Sequence, residues 1–180
     1  NISRPPSAAL RHWGVDPMIS PTAALVLLPF AAAVGIWVAF SDMKFMKIPN
    51  QAVLALLAVW LVVGIFVVPL QSWAWGWALG AAMLVAGFIA TAAGLVGAGD
   101  AKFAAGMAPF FVHADPRFVF GLFAACLLGA FAAHRLVGLI PAFRAATTDW
   151  ASWTHQKFPM GLALSGTLIF YLLAALLPLL

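Results

Sequence analysis

Residues 73–102 read WAWGWALGAAMLVAGFIATAAGLVGAGDAK, and no charged side chain occurs between Trp73 and Val96. An uncharged run of this kind matches a bilayer-crossing helix, for which about 20 apolar residues suffice. It gives way to Gly97-Ala98-Gly99-Asp100-Ala101-Lys102, an acid and a base set in a glycine turn. An ionisable group at the edge of hydrocarbon is costly and calls for a functional reason. The flanking glycines let a backbone bend and approach closely.

The rest of the chain has the same character. Its 180 residues are 65% hydrophobic and 8% charged, with a mean hydropathy of +1.06. Soluble domains average about 45–50% apolar and ~25% charged residues. Composition therefore predicts an all-α polytopic membrane bundle and excludes a soluble globular domain. A mass of 19.0 kDa leaves room for one such bundle. Residues 21–180 are read as a single membrane-embedded domain, preceded over 1–20 by a polar, turn-rich tail outside the cytoplasm. The formal charge of +4 comes from Lys and Arg scattered over short loops. That pattern suits topology setting and contact with phospholipid, and no nucleic-acid partner is expected. Cys126 is the only cysteine, so neither an intramolecular disulfide nor a Cys-x-x-Cys site is available. No set of His and carboxylates has metal-ligand spacing; neither a metal nor a cofactor is expected.

Six apolar stretches run over 21–40, 51–70, 73–96, 101–113, 117–140 and 160–180. The fourth is short, but its neighbours leave the chain no other way back across the membrane. The first exceeds the ~7–15 apolar residues of a signal-peptide core and reads as a retained helix. Two crossings separate Asp42 from Asp100, so both fall on one side, together with the loop 141–159. That side holds Lys44, Lys47, Lys102, Arg144 and Lys157, with Arg135 snorkelling toward it; the other has Arg4, Arg11 and Arg117. The positive-inside rule then makes the Asp face cytoplasmic. Trp73, Trp75 and Trp77 read as an aromatic anchor at the outer interface, and Trp150 and Trp153 as one at the inner. Gly76-x-x-x-Gly80 and Gly161-x-x-x-Ser165 are small-residue pairs that permit close helix packing.

Five carboxylates occur, all Asp. Asp16 and Asp115 lie on the opposite face by parity, and Asp149 reads as a solvated loop residue. Asp42 and Asp100 remain, each where an apolar helix meets water. Two carboxylates around one water share a proton and titrate as a pair. One can act as base on the water while the other donates to a leaving amine. Asp42 is read as following a helix C-terminus, which disfavours negative charge, and Asp100 as opening a helix, which favours it. Asp42 is thus the expected holder of the shared proton. Asn50 is the expected N-cap of the second span. His134 beside Arg135, and the isolated His12 and His155, carry no expected role.

Gly97-Ala98-Gly99-Asp100-Ala101-Lys102 resembles the GxGDxK motif of the type IV prepilin peptidases. Asp42 through Asn50 (DMKFMKIPN) is similar to their first catalytic segment, and Lys157 through Ala163 (KFPMGLA) to their P-x-G-x-A entry. Three motifs in order, across nearly the whole apolar chain, make the resemblance specific. It implies a membrane-embedded aspartic endopeptidase with Asp42 and Asp100 as the catalytic pair, removing the basic leader of prepilins and pseudopilins. It implies a bacterial inner membrane and a site at its cytoplasmic face. Gly97, Gly99, Pro49, Asn50, Pro159 and Gly161 would shape the site. Lys44, Lys47 and Lys102 would be placed to meet an acidic residue of the substrate. The compact form resembles the peptidases of tight-adherence (Flp) pili, and without paired Cys-x-x-Cys motifs methyl transfer is not expected. Two other readings stand beside it. One is a GxGD protease that cuts within transmembrane helices. The other is a small transporter or assembly factor whose aspartates bind protons or cations, which would want them near the midplane.

Overall fold

The computed structural model describes residues 18–179; the tail read over 1–20, with Arg4, Arg11, His12 and Asp16, lies outside the described residues but for its last three. Helix α1 (Pro21–Phe45) starts at Ser20, whose hydroxyl accepts the Ala23 N–H at 3.2 Å. Pro21 follows in the first turn, where a missing N–H leaves no bond unmade. The helix runs on to Phe45 instead of ending near residue 40, so Asp42 lies inside its last turn. It stops at Met46, which adopts the left-handed conformation (φ 52°, ψ 39°), uncommon without glycine. The Ser41 hydroxyl donates to the Lys47 carbonyl at 2.8 Å and ties down the turn.

Helix α2 (Asn50–Val67) contains a π turn at Trp60–Gly64. Pro49 caps α2 with extended backbone and no side-chain bond, so Asn50 is its first residue and not the expected N-cap. Helix α3 (Leu70–Ala92) returns the chain, and α4 (Ala98–Met107) continues into a 3-10 turn at Ala108–Phe111. Then follow α5 (Pro116–Gly138), the short α6 (Pro141–Ala146) and α7 (Met160–Ala174). Asp115 caps α5 by accepting the Arg117 N–H at 2.8 Å, a structural use for that carboxylate.

The architecture is all-α; among the described residues no strand occurs. Helices α1, α2, α3, α5 and α7 with its final turn are long and apolar enough to cross a membrane. α4 is not, at 10 residues, or ~15 Å of helix. Its 3-10 extension nevertheless brings Phe111 against Tyr171, ring centroids 4.6 Å apart. The Tyr171 hydroxyl accepts the Ile19 N–H at 3.2 Å, next to the start of α1. The short element therefore runs from the Asp100 end of the bundle to the Ile19 end, as its neighbours require.

α7 lies between α1 and α5, and α4 between α2 and α3. Leu27, Leu56, Trp60, Phe103, Phe110 and Leu168 fill the centre and are fully buried. Large apolar side chains such as Phe66 and Phe120 point outward, as fits a bundle whose solvent is lipid. Both small-residue pairs lie at close helix contacts. A Cβ on Gly76 would come within 2.6 Å of the Trp60 indole, and one on Gly80 within 3.3 Å of the Ala105 carbonyl oxygen. One on Gly35 of α1 would come 3.5 Å from Ser165 Cβ of α7. The aromatic anchors are only partly anchors. The Trp73 indole donates to the Trp60 carbonyl at 3.0 Å and the Trp60 indole to the Trp73 carbonyl at 3.3 Å, locking α2 to α3. Trp75 alone of the three α3 tryptophans is exposed.

Candidate active site

Three chain segments far apart in sequence meet at one end of the bundle. Asp42 comes from the last turn of α1, Asp100 from the first turn of α4, and Gly161 from the first turn of α7. Asp42 and Asp100 line one cavity of about 450 Å³. Asp42 is buried, with 5% of its surface exposed, and its Oδ2 accepts the Gly161 N–H at 2.7 Å. A short bond from a buried amide to a carboxylate is strong and directional; it holds the acid where the cavity opens. Pro159, fully buried, sets the extended backbone that caps α7 and presents Gly161.

Glycine at 161 is required by proximity. An added Cβ would sit 2.9 Å from Asp42 Cβ and 3.0 Å from its Oδ2. We expect Gly161→Ala to destabilise the protein by about 1–3 kcal/mol, the usual cost of overpacking, and to displace Asp42. The thermal midpoint in detergent checks this; an unchanged midpoint would mean that α1 and α7 have slack there. Gly97 is close in a different way. It is the extended residue ahead of α4, and a Cβ on it would meet Asp100 Oδ2 at 2.6 Å. Gly99 is less constrained, because its added Cβ would touch Ile48 at an ordinary 3.5 Å.

Asp100 sits half-buried in the first turn of α4, at the positive end of the helix dipole. The placement expected for Asp42 is different in detail. It lies within its helix and accepts the Gly161 N–H, so the helix-end contrast expected between the two acids does not hold for it.

The basic residues separate. Lys47 and Lys102 line the cavity, and the Lys102 ammonium donates to Asn50 Oδ1 at 3.4 Å. Lys44, half-buried, instead faces the exposed Asp149, Nζ to Oδ2 3.2 Å, a surface pair worth at most about 1 kcal/mol. Asp149 is thus exposed but paired. Lys44 is not among the residues lining the cavity, and Pro49 frames it only through its neighbours Ile48 and Asn50.

His155 and Lys157 also line the cavity, and sequence reasoning missed the first altogether. The His155 Nδ1 accepts the Lys157 N–H at 3.1 Å, which leaves Nε2 as the proton-bearing nitrogen of the neutral ring. The available signal was position: both closely precede Pro159 and Gly161, the pair expected to shape the site. The loop bearing them is held by aromatic packing. His134 of α5 stacks on Trp153 at 4.6 Å and meets Phe158 edge-on at 5.9 Å. The Trp153 indole donates to the Thr147 carbonyl at 2.9 Å, and the Arg144 guanidinium lies 4.6 Å from its ring. Trp153 and His134 therefore build the loop that carries the cavity wall, where an interface anchor and an idle histidine were expected. Arg135 lies over the Phe131 ring at 5.2 Å.

The model of the type IV leader peptidase family matches residues 29–134, a span that includes both Asp42 and Asp100 and stops before the loop with His155 and Gly161. No curated protein and no solved structure matches the chain.

Proposed function

Since the chain belongs to the type IV leader peptidase family, we propose that it is an aspartic endopeptidase that removes the basic leader from Flp-type prepilins and pseudopilins, with Asp42 and Asp100 as its catalytic pair. The observation that carries this reading is the meeting of the two acids in one cavity at one end of the bundle, with Asp42 hydrogen-bonded to Gly161.

In this mechanism one carboxylate takes a proton from a water held between the pair, and the water oxygen bonds to the scissile carbonyl carbon. The protonated partner stabilises the developing oxyanion and then supplies the proton that lets the amine leave as the C–N bond breaks. One proton enters the pair and one leaves it, so the dyad is restored after each turnover. The cavity lies at the edge of the bundle, where a peptide can enter from water. The excess of Lys and Arg at that end supports a cytoplasm-facing site in the bacterial inner membrane. Cavities at one edge also disfavour a transporter, whose carboxylates belong near the midplane.

The test is incubation of the full chain in lipid vesicles with a prepilin, followed by N-terminal analysis of the product. Loss of the leader at a single bond supports the reading. A prepilin left whole by correctly inserted protein overturns it and favours the transporter or assembly role.

Lys102 has a narrower expected part. Its ammonium, at the cavity rim and only loosely held by Asn50, is placed to pair with an acidic substrate residue. Lys102→Glu is expected to raise KM by about 5–50-fold, the range of one charge pair lost and one repulsion gained. A substrate carrying the matching acid-to-lysine change should restore most of the loss. Absence of rescue would assign Lys102 to phospholipid contact.

A further inference from the structure

The reaction proposed above sets the protonated acid two tasks. It has to steady the oxygen of the scissile carbonyl as negative charge develops there, and it has to give its proton to the leaving amine. One proton cannot serve both atoms at once. Sites that form such an oxyanion meet it with hydrogen-bond donors fixed in advance, commonly more than one.

Among the described residues, five side chains with N–H groups line the acid-bearing cavity: Lys47, Asn50, Lys102, His155 and Lys157. The three ammonium groups ride on flexible stems, and Asn50 is engaged by Lys102. His155 is held more firmly. Its backbone N–H donates to the Ala151 carbonyl at 3.0 Å, and its Nδ1 accepts the Lys157 N–H at 3.1 Å. The loop on either side is fixed by the stacking of His134 on Trp153 and by the buried Pro159. A ring nitrogen that accepts carries no hydrogen, so the hydrogen of the neutral ring is on Nε2, the nitrogen farther from the backbone. The ring is near enough to Asp42 for its charge to be felt there, as Lys157 is to Asp100. A peptide bond held between the two acids would have this N–H on its flank.

We propose that His155 is a third catalytic residue, its Nε2–H donating to the scissile carbonyl oxygen while the water adds. The inference rests on the peptidase reading above. No proton passes to or from the ring. The hydrogen bond stabilises the oxyanion, the acid's own proton is free to go to the amine, and the imidazole leaves the cycle as it entered. The family match ends at residue 134, so this donor belongs to the part of the chain that the match does not reach.

The test uses the full chain in lipid vesicles with a prepilin, in buffer alkaline enough to keep free imidazoles neutral. His155→Ala is expected to lower kcat by about 10–100-fold, at or below the usual loss for one oxyanion donor because the residue is exposed. KM should change by less than about threefold, since the bond strengthens only as charge develops. His155→Gln, which keeps an N–H at similar reach, should recover most of the loss. Added imidazole should restore the alanine variant in part, and N-methylimidazole should not. Both molecules can fill the space and accept the Lys157 N–H, but neutral N-methylimidazole has no N–H to give. Three results overturn the proposal and make His155 a structural part of its loop: wild-type kcat from His155→Ala, equal rescue by the two imidazoles, or failure of both glutamine and imidazole to restore the rate. In each of these the wild-type chain still cleaves, and the peptidase reading stands. Absence of cleavage by the wild-type chain removes that reading and this one with it.

Discussion

Asparagine in place of Asp42 or of Asp100 is expected to slow leader removal by about 10²–10⁴-fold, the usual contribution of a positioned acid or base. That corresponds to roughly 3–5 kcal/mol of lost transition-state stabilisation. The substitution is close to isosteric. At position 42 the amide oxygen can still accept the Gly161 N–H now bonded at 2.7 Å, so the bundle should insert and fold. What is lost is the exchangeable proton, and with it both the activated water and the donor to the leaving amine. The two single variants and the double variant should be about equally slow, because two groups acting as a unit are not additive. Asp149→Asn is the control, since that acid is exposed and paired with Lys44; it should change the rate by less than about twofold. The readout is the fraction of prepilin shortened per unit time at equal amounts of inserted enzyme. Wild-type rates from either variant would make that aspartate structural and revive the proton- or cation-binding reading.

Trp60→Ala carries the largest expected effect on stability, a loss of about 3–5 kcal/mol. Trp60 is fully buried, its indole donates to the Trp73 carbonyl, and its ring lies 5.3 Å from Phe110. It also occupies the notch that Gly76 leaves open, where even one added carbon would come within 2.6 Å. Removing it opens a cavity at the junction of α2, α3 and the turn after α4, and orphans one carbonyl contact. In a chain of this size the midpoint of thermal unfolding should fall by roughly 6–20 °C. Leu61→Ala, at a neighbouring position that is 49% exposed, should shift stability by no more than about 0.5 kcal/mol. Equal midpoints for the two variants would show that the α2–α3 contact does not depend on Trp60.

The two predictions probe different levels of legibility. Asp42 and Asp100 stood out in the sequence because a charge is conspicuous where nearly every neighbour is apolar. Their common side followed from counting crossings. Trp60 was invisible by the same logic, one more apolar residue in an apolar run. Only its pairing with Gly76 and Trp73 across two helices gives it a role. His155 was missed for a related reason: a polar residue in a polar loop has no contrast, and what it faces depends on how the loop folds. Lys44 erred in the opposite direction. Its nearness to Asp42 in the chain suggested a place at the site, but two residues along a helix turn the side chain to another face, and it meets Asp149 instead.

The class of fold, the order of the spans, the end at which the acids gather and the resemblance carried by three motifs were all legible in the order of the residues. These are readable because lipid enforces a simple rule, that long uncharged stretches become helices and charges collect at their ends. What happens at those ends was fixed by packing: Asp42 inside α1, its bond to Gly161, and the arrival of His155 and Lys157 at the cavity wall. Hydropathy is a property of single segments. Which side chain of one helix meets which of another depends on helix rotation and on the close approach that a few glycines permit, and those exist only once the helices have packed.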